Sequence, residues 1–106
     1  MRGGGIGFYI RNGLNFKVID TLSPFENKII ESLTLQISYH GKTKPVLLTS
    51  VYRSNGPLPN TTQTQQMERF MVKFDELLHN LDNIHQTSYI FIDSNIDLLT
   101  YMQMIP

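Results

Sequence analysis

The stretch from Thr62 to Asp93 decides the fold, and it reads TQTQQMERFMVKFDELLHNLDNIHQTSYIFID. Its first two thirds place apolar residues at i, i+3, i+4, i+7, i+10, i+11 and i+14, the period of an α-helix with one buried face. These residues are Met67, Phe70, Met71, Phe74, Leu77, Leu78 and Leu81. Thr62 and Gln65 have the spacing of an N-terminal capping box. The pattern therefore predicts a helix over about Thr62–Asp82, followed by a short apolar strand that ends at Asp93.

The residues at the start of the chain predict a β-hairpin. Alternating apolar residues over 6–11 give the period-two pattern of a half-buried strand. Asn12-Gly13 follows, and because this dipeptide accepts positive φ at both turn positions, it favours a tight type I′ turn. A returning strand is expected over 16–20, and residues 21–27 are predicted to form a connection.

Two further strands are predicted over 29–39 and 45–52, joined by a turn at Gly41-Lys42. The third strand has an apolar face and a polar face, since its odd-numbered residues from 33 to 39 are apolar. The apolar face carries Leu33, Leu35, Ile37 and Tyr39. The fourth strand contains Val46-Leu47-Leu48, a continuous apolar run that is expected of a strand covered on both faces.

The last strand, helix and strand should form a right-handed crossover that joins two parallel strands. The predicted fold is therefore α/β, with some α+β character: a mixed sheet with an antiparallel run of strands and one parallel crossover helix. We expect the helix to cover this sheet and to form the core against it. The predicted contacts join Phe70, Phe74, Leu77 and Leu81 to Val46, Leu48, Ile90 or Ile92.

The crossover also predicts where function would lie. Parallel strands end at the same edge of a sheet, so Tyr52-Arg53 and Asp93-Ser94-Asn95 should meet at one rim. Ligands in open α/β sheets bind outside the carboxyl ends of the strands.

Length and composition limit the possible classes of protein. A chain of 106 residues with 41% hydrophobic and 17% charged residues has the composition of one globular domain rather than of a disordered tail. Nine basic and nine acidic residues cancel, so no net field attracts nucleic acid. The absence of cysteine excludes disulfides and thiolate metal sites. No secretory leader or apolar run long enough to span a bilayer is present, so we expect an intracellular protein without a membrane partner.

Two patterns that could indicate a calcium or zinc site lack the required residues or spacing. The segment that begins at Asp93 copies the first ligands of an EF-hand loop, but it has Leu98 where glycine is needed and Met104 where glutamate is needed. The three histidines lie on separate predicted elements without zinc spacing, and they are His40, His79 and His85.

Asp93 and Asn95 have two readings from the residues alone. An Asp at the end of a strand can cap a turn. Alternatively, a carboxylate with an amide two residues later can hold and deprotonate a water. A phenol and an arginine, here Tyr52 and Arg53, can bind a phosphate oxygen. The second reading suits phosphodiester hydrolysis, and the residues leave both open.

Three segments resemble motifs of one known family. They are Arg2–Asn12 (RGGGIGFYIRN), Ser50–Asn55 (SVYRSN) and Ile92–Leu99 (IDSNIDLL). They resemble segments of the endonuclease domains of non-LTR (LINE-like) retrotransposons, within the endonuclease/exonuclease/phosphatase superfamily. The segments occur in the family's order, and the resemblance covers nearly the whole chain.

The resemblance implies a four-layer α/β sandwich, of which residues 1–106 would be a single partial domain. It implies magnesium-dependent hydrolysis of DNA, with a nuclear location for the parent protein. In that reaction Asp93 would activate the attacking water, and Tyr52 would contact the scissile phosphate. Asn95 would orient the Asp93 carboxylate and bind phosphate together with Arg53.

The resemblance also places a metal-binding glutamate before residue 1 and a Ser-Asp-His ending beyond Pro106. Asp93 would then be one ligand of an incomplete metal site. We therefore expect weak magnesium binding and no DNA cleavage by this chain alone. The alternative is a non-catalytic α/β interaction module or gene remnant that binds a partner through its open sheet. The sequence predicts no oligomeric state.

Overall fold

The computed structural model describes residues 6–39, 44–54 and 56–93. Within these ranges the chain forms a five-stranded mixed sheet and one long helix. In chain order the strands are β1 (Leu14–Val18), β2 (Phe25–Glu26), β3 (Ile30–Tyr39), β4 (Val46–Tyr52) and β5 (Ser88–Asp93), with a short 3-10 helix at Asp20–Leu22 and the long helix α1 at Gln63–Ile84.

The strands lie in the order β1, β3, β4, β5, and β2 also pairs with β3. β3 is antiparallel to β1, β2 and β4, whereas β4 and β5 are parallel. The predicted α/β fold, a mixed sheet with an antiparallel run and a parallel crossover through one helix, is therefore confirmed.

The N-terminal hairpin prediction is wrong. Residues 6–10 are not in a strand. At Asn12-Gly13 the Leu14 N–H donates to the Arg11 carbonyl oxygen (3.3 Å), but of the two central residues Gly13 alone has positive φ, at 97°. A type I′ turn needs positive φ at both. Sequence alternation shows which side chains can share a face, but it does not show whether a neighbouring strand lies within hydrogen-bonding distance.

The chain around the second predicted strand differs in its boundaries. The strand is Leu14–Val18 rather than 16–20, because Asp20 already lies in the 3-10 helix. Ile19 still donates its N–H to the Thr34 carbonyl oxygen (2.9 Å), one step beyond the β1–β3 ladder. Phe25–Glu26, predicted as part of a connection, pairs with β3 instead. A two-residue strand is too short to show any periodicity.

Helix α1 begins at the predicted capping box. The Gln65 N–H donates to the Thr62 hydroxyl oxygen (3.0 Å), and the Thr62 N–H donates to the Gln65 side-chain oxygen (2.9 Å). These two bonds satisfy donors that the first helical turn leaves without helical partners. The helix ends at His85, which adopts a left-handed conformation with φ 60°.

The core lies between α1 and one face of the sheet. Its buried residues are Leu22, Ile29, Ile30, Leu47, Val51, Phe70, Leu77 and Leu81, with Phe74 and Ile90 partly buried against them. The predicted packing of the helix on Ile90 is confirmed. The predicted contacts to Val46 and Leu48 are wrong, and Leu47 and Val51 take their place. Because the run 46–48 is apolar at every position, it could not show which alternate residues face the helix.

β3 turns its polar face towards the helix. Thr34 and Thr49 are fully buried on this side, and their hydroxyl groups are 2.8 Å apart. The Thr34 hydroxyl also donates to the Leu22 carbonyl oxygen. The buried hydroxyl groups therefore have partners, which offsets the cost of removing them from water.

We call the sheet face opposite α1 the open face. Strand pairing places on it Phe16 and Val18 of β1, Leu33, Leu35 and Ile37 of β3, Val46 and Leu48 of β4, and Tyr89 and Phe91 of β5. The outer members are about half exposed: Phe16 at 55%, Val18 at 47%, Tyr89 at 54% and Phe91 at 56%. Within the described ranges, no helix is long and apolar enough to cross a membrane.

We predict that Phe70→Ala lowers the free energy of unfolding by about 3–5 kcal/mol, because Phe70 is fully buried in the core. Phe74→Ala should cost less, since Phe74 is partly exposed and stacks on Phe70 with ring centroids 5.7 Å apart. Urea unfolding measures both losses. Val72→Ala, at a 58% exposed helix position, is the control and should change stability by no more than about 0.5 kcal/mol. An equal loss in Phe70→Ala and Val72→Ala would contradict this core.

Candidate functional site

The parallel pairing of β4 with β5 brings Tyr52 and Asp93 together. Their Cα atoms are direct partners in the ladder. The ladder continues for one further bond, because the Arg53 N–H donates to the Asp93 carbonyl oxygen (2.9 Å). Tyr52 is partly exposed and Asp93 is exposed. Asn95, the third predicted residue of this rim, lies outside the described residues.

A second carboxylate belongs to the same rim. Glu31 is the direct partner of Tyr52 in the antiparallel β3–β4 ladder. Direct partners share a face of the sheet. Glu31, Tyr52 and Asp93 therefore form a row across three strands, on the open-face side, which we call the rim row.

Glu31 is not among the residues that the sequence analysis predicts for this rim, because its position beside Tyr52 depends on the register between β3 and β4. A usable signal was present in the sequence. A hairpin turn centred between Gly41 and Lys42 pairs residue 31 with residue 52, which is the observed register. The register between β4 and β5 cannot be found in this way, because a long crossover rather than a tight turn joins these two strands.

In the rim row, the phenol of Tyr52 lies between two acidic side chains, Glu31 on one side and Asp93 on the other. Neighbouring side chains in such a row have Cβ atoms roughly 4.5–5.5 Å apart. The resulting negative potential opposes an approaching phosphate and attracts a cation. The row can therefore accept a proton at a carboxylate and donate a hydrogen bond from a phenol. Phosphate binding there requires added positive charge.

The described residues show no large cluster of metal-binding side chains. No group of three or more histidine, aspartate or glutamate side chains within 6–39, 44–54 and 56–93 is placed to hold a metal ion. Magnesium needs octahedral oxygen coordination, commonly from one or two carboxylates together with water and substrate phosphate. Asp93 has the right donor and exposure to be one ligand.

Arg53 reaches the rim through its backbone, while its side chain is buried. It is 6% exposed and continues the buried alternation of Leu47, Thr49 and Val51 along β4. Burial lowers the pKa of the Arg53 guanidinium from its ordinary value. An arginine is so basic that it remains charged under all ordinary conditions, so this shift creates no pH-dependent step in stability. Its predicted phosphate contact remains a prediction.

Gln66 holds the loop that leaves the rim. Its side-chain nitrogen donates to the carbonyl oxygens of Lys28 (2.8 Å) and Gly56 (2.9 Å). The Lys28 ammonium group also donates to the Pro57 carbonyl oxygen (3.3 Å). These bonds join the segment before β3 to the segment after β4. The two segments continue from the strand ends that carry Glu31 and Tyr52.

Sequence reasoning also missed this role of Gln66, although a signal existed. Gln66 stands four residues before Phe70 and eleven before Leu77, so it occupies the apolar face of α1. The structure shows it 4% exposed. A glutamine at an apolar helical position indicates a buried amide that needs partners.

No family model, curated protein or solved structure matches this chain. The resemblance to retrotransposon endonucleases therefore remains a prediction from the three motifs. The rim row and the Gln66 contacts stand independently of it, because they are geometric features of the chain itself.

We predict that Gln66→Leu lowers the free energy of unfolding by about 1–3 kcal/mol, because two carbonyl oxygens lose a common donor. Hydrogen exchange should accelerate around residues 56–58 in the same variant. Gln63→Leu, at an exposed position of the first helical turn, is the matched control and should behave like the wild type. Unchanged exchange around 56–58 in Gln66→Leu would mean that the loop is held by other contacts.

We predict that Asp93→Asn changes the free energy of unfolding by no more than about 0.5 kcal/mol, because Asp93 is exposed and its bond to Arg53 uses the backbone. Thermal or urea unfolding measures the change. A loss of more than about 1 kcal/mol would support the turn-capping reading of the side chain.

Proposed function

We propose that this chain contributes the Tyr52–Asp93 part of a metal-dependent phosphodiesterase site that cleaves DNA. The parent would be an endonuclease domain of a retrotransposon reverse-transcriptase-type protein. The observation that carries the proposal is the direct pairing of Tyr52 with Asp93 at the carboxyl end of two parallel strands. Three motifs in the family's order, one around each of these residues and one at the start of the chain, support it further.

Each side chain has a defined part in the proposed reaction. Asp93 accepts the proton of an attacking water, since its carboxyl group is exposed at the end of β5 and carboxylates can act as general bases. The Tyr52 hydroxyl donates a hydrogen bond to a phosphate oxygen, which stabilises charge that develops there. Asn95 orients the carboxylate and the phosphate. The backbone bond from Arg53 to Asp93 fixes the spacing of the two strand ends.

The charge of the rim row supports a requirement for a cation. Glu31 and Asp93 would repel a phosphodiester unless positive charge lies between them and the substrate. A magnesium ion held with the help of Asp93 would supply that charge and would polarise the phosphoryl group. Asp93 would be one of its ligands, and the described residues contain no group of three or more such side chains that would complete the site. We therefore propose that the chain alone does not hydrolyse DNA.

The second candidate function is a non-catalytic interaction module. The specific observation in its favour is the open face, where Phe16, Val18, Tyr89 and Phe91 remain about half exposed. Exposed apolar side chains grouped on one surface are typical of interaction sites. This function needs neither Asp93 nor magnesium, so substitutions at the rim row discriminate between the two candidates.

We predict that the purified 106-residue chain does not nick supercoiled plasmid in magnesium buffer, because the described residues contain no group of three or more side chains placed to hold the metal. Gel electrophoresis of the plasmid detects the nicked form. Nicking that disappears in both Asp93→Ala and Asn95→Ala would show that the chain assembles an active site by itself. That result would support the nuclease while overturning its dependence on further residues.

The nuclease proposal itself is tested by expressing the chain together with its neighbouring coding sequence. We expect nicking in magnesium, its loss in Asp93→Ala, and a smaller reduction in Tyr52→Phe. Asp75→Ala, on the exposed surface of α1, is the matched control and should leave nicking unchanged. A folded extended protein that binds magnesium but does not nick DNA would overturn the proposal and favour the interaction module.

A further inference from the structure

The outer edge of β5 has the features of an unprotected strand. Among the described residues β5 pairs with β4 alone. It contains neither lysine nor proline, and its register with β4 runs from Ser88 to Asp93 without a bulge. Natural proteins commonly use charged residues, prolines or bulges to stop an edge strand from pairing with another chain. β5 has none of these over its first five residues, and its acidic residue lies at the very end.

Both faces of the sheet are apolar beside this edge. On the open face Tyr89 and Phe91 are about half exposed. On the helix side Ile92 is 38% exposed and Leu78 of α1 is 37% exposed. A strand added at this edge would cover apolar groups on both faces as well as satisfy backbone groups.

The hydrogen bonds to β4 show which β5 residues face outward. The Leu47 N–H donates to the Thr87 carbonyl oxygen, and the Arg53 N–H donates to the Asp93 carbonyl oxygen, each at 2.9 Å. Odd-numbered residues therefore direct their backbone groups towards β4. Because alternate residues of a strand point to opposite edges, the even-numbered residues direct theirs outward. These residues are Ser88, Ile90 and Ile92.

This pattern is complementary to itself under two-fold symmetry. In an antiparallel pairing of two β5 strands centred on Ile90, each Ile90 meets the other Ile90, and Ser88 meets Ile92. Every outward-facing residue then meets another outward-facing residue, which is the arrangement in which antiparallel partners exchange two hydrogen bonds.

The same register is favourable for the side chains. Tyr89 lies opposite Phe91 of the second copy at a non-hydrogen-bonded position, where side chains approach most closely. Two aromatic pairs therefore form on the open face. Asp93 lies opposite Thr87, so no like charges face each other, and the chain carries no net charge that would repel a second copy.

We propose that two copies of this chain associate through their β5 edges in the antiparallel register centred on Ile90. The two sheets then become one continuous sheet, and the two rim rows lie at opposite ends of the paired strands. An interface formed mainly by a six-residue edge is smaller than the roughly 1,200–2,000 Å² of a standard protein complex, so the association is weak. This inference does not depend on the nuclease proposal.

Sedimentation velocity of the full chain, from micromolar to millimolar concentration, tests the association. We expect the average mass to rise from 12.2 kDa towards twice that value. Ile92→Pro should weaken association at least tenfold, because it removes an outward N–H without removing a bond to β4. Ile92→Ala keeps that N–H and is the matched control, which should still associate. A wild-type chain that stays monomeric throughout, or a folded Ile92→Pro variant that associates like Ile92→Ala, would overturn the proposal.

Cysteine cross-linking tests the register and does not rely on the proline variant folding. The chain has no cysteine, so each introduced thiol is unique. An equimolar mixture of Tyr89→Cys and Phe91→Cys should form a disulfide-linked mixed dimer, because those positions are direct partners within disulfide range. Either variant alone should cross-link much more slowly, since its two thiols are offset by two residues. Equally fast cross-linking in a mixture of Phe16→Cys and Phe91→Cys would show that the open faces stack instead, which would overturn the edge pairing.

Discussion

The parallel pairing of β4 with β5 is the constraint on which the rest of the structure depends. Two adjacent parallel strands need a long crossover connection, and α1 occupies that connection with its apolar side against the sheet. The same pairing brings the ends of both strands to one edge. Tyr52 and Asp93 are therefore neighbours because of chain topology, and no side-chain contact between them is needed to hold them there.

The pairing also divides the molecule into two unlike faces. α1 covers the face that carries Leu47 and Val51. On the same face the hydroxyl groups of Thr34 and Thr49 form a hydrogen bond with each other. The open face keeps the apolar side of β3. Because apolar side chains gain most from burial, the exposed members of the open face make it a surface suited to a partner. The acidic rim row lies at one end of this face.

Much of the fold could be predicted from periodicity. The capping box and apolar stripe gave α1 to within two residues at its C-terminal end, and the apolar segment Tyr89–Asp93 gave β5 to within one. The hairpin at residues 6–20 failed because alternation does not identify a pairing partner. The prediction of which β4 residues face the helix was also wrong, since Val46-Leu47-Leu48 is apolar at both odd and even positions. Tyr52 and Asp93 were predictable from the crossover, whereas Glu31 required the β3–β4 register and Gln66 required recognition of a buried amide.

The most direct test of this account is a disulfide between strand ends in the monomer. Residues 52 and 93 are direct ladder partners, so a double variant with Tyr52→Cys and Asp93→Cys should cross-link within one chain. The double variant with Tyr52→Cys and Tyr89→Cys should not, because Tyr89 pairs with Leu48 near the other end of β4. Peptide mapping of the oxidised monomers identifies the bond. A cross-link in the second variant and none in the first would mean that β5 is antiparallel to β4. That result would contradict the placement of Tyr52 and Asp93 at the same edge of the sheet.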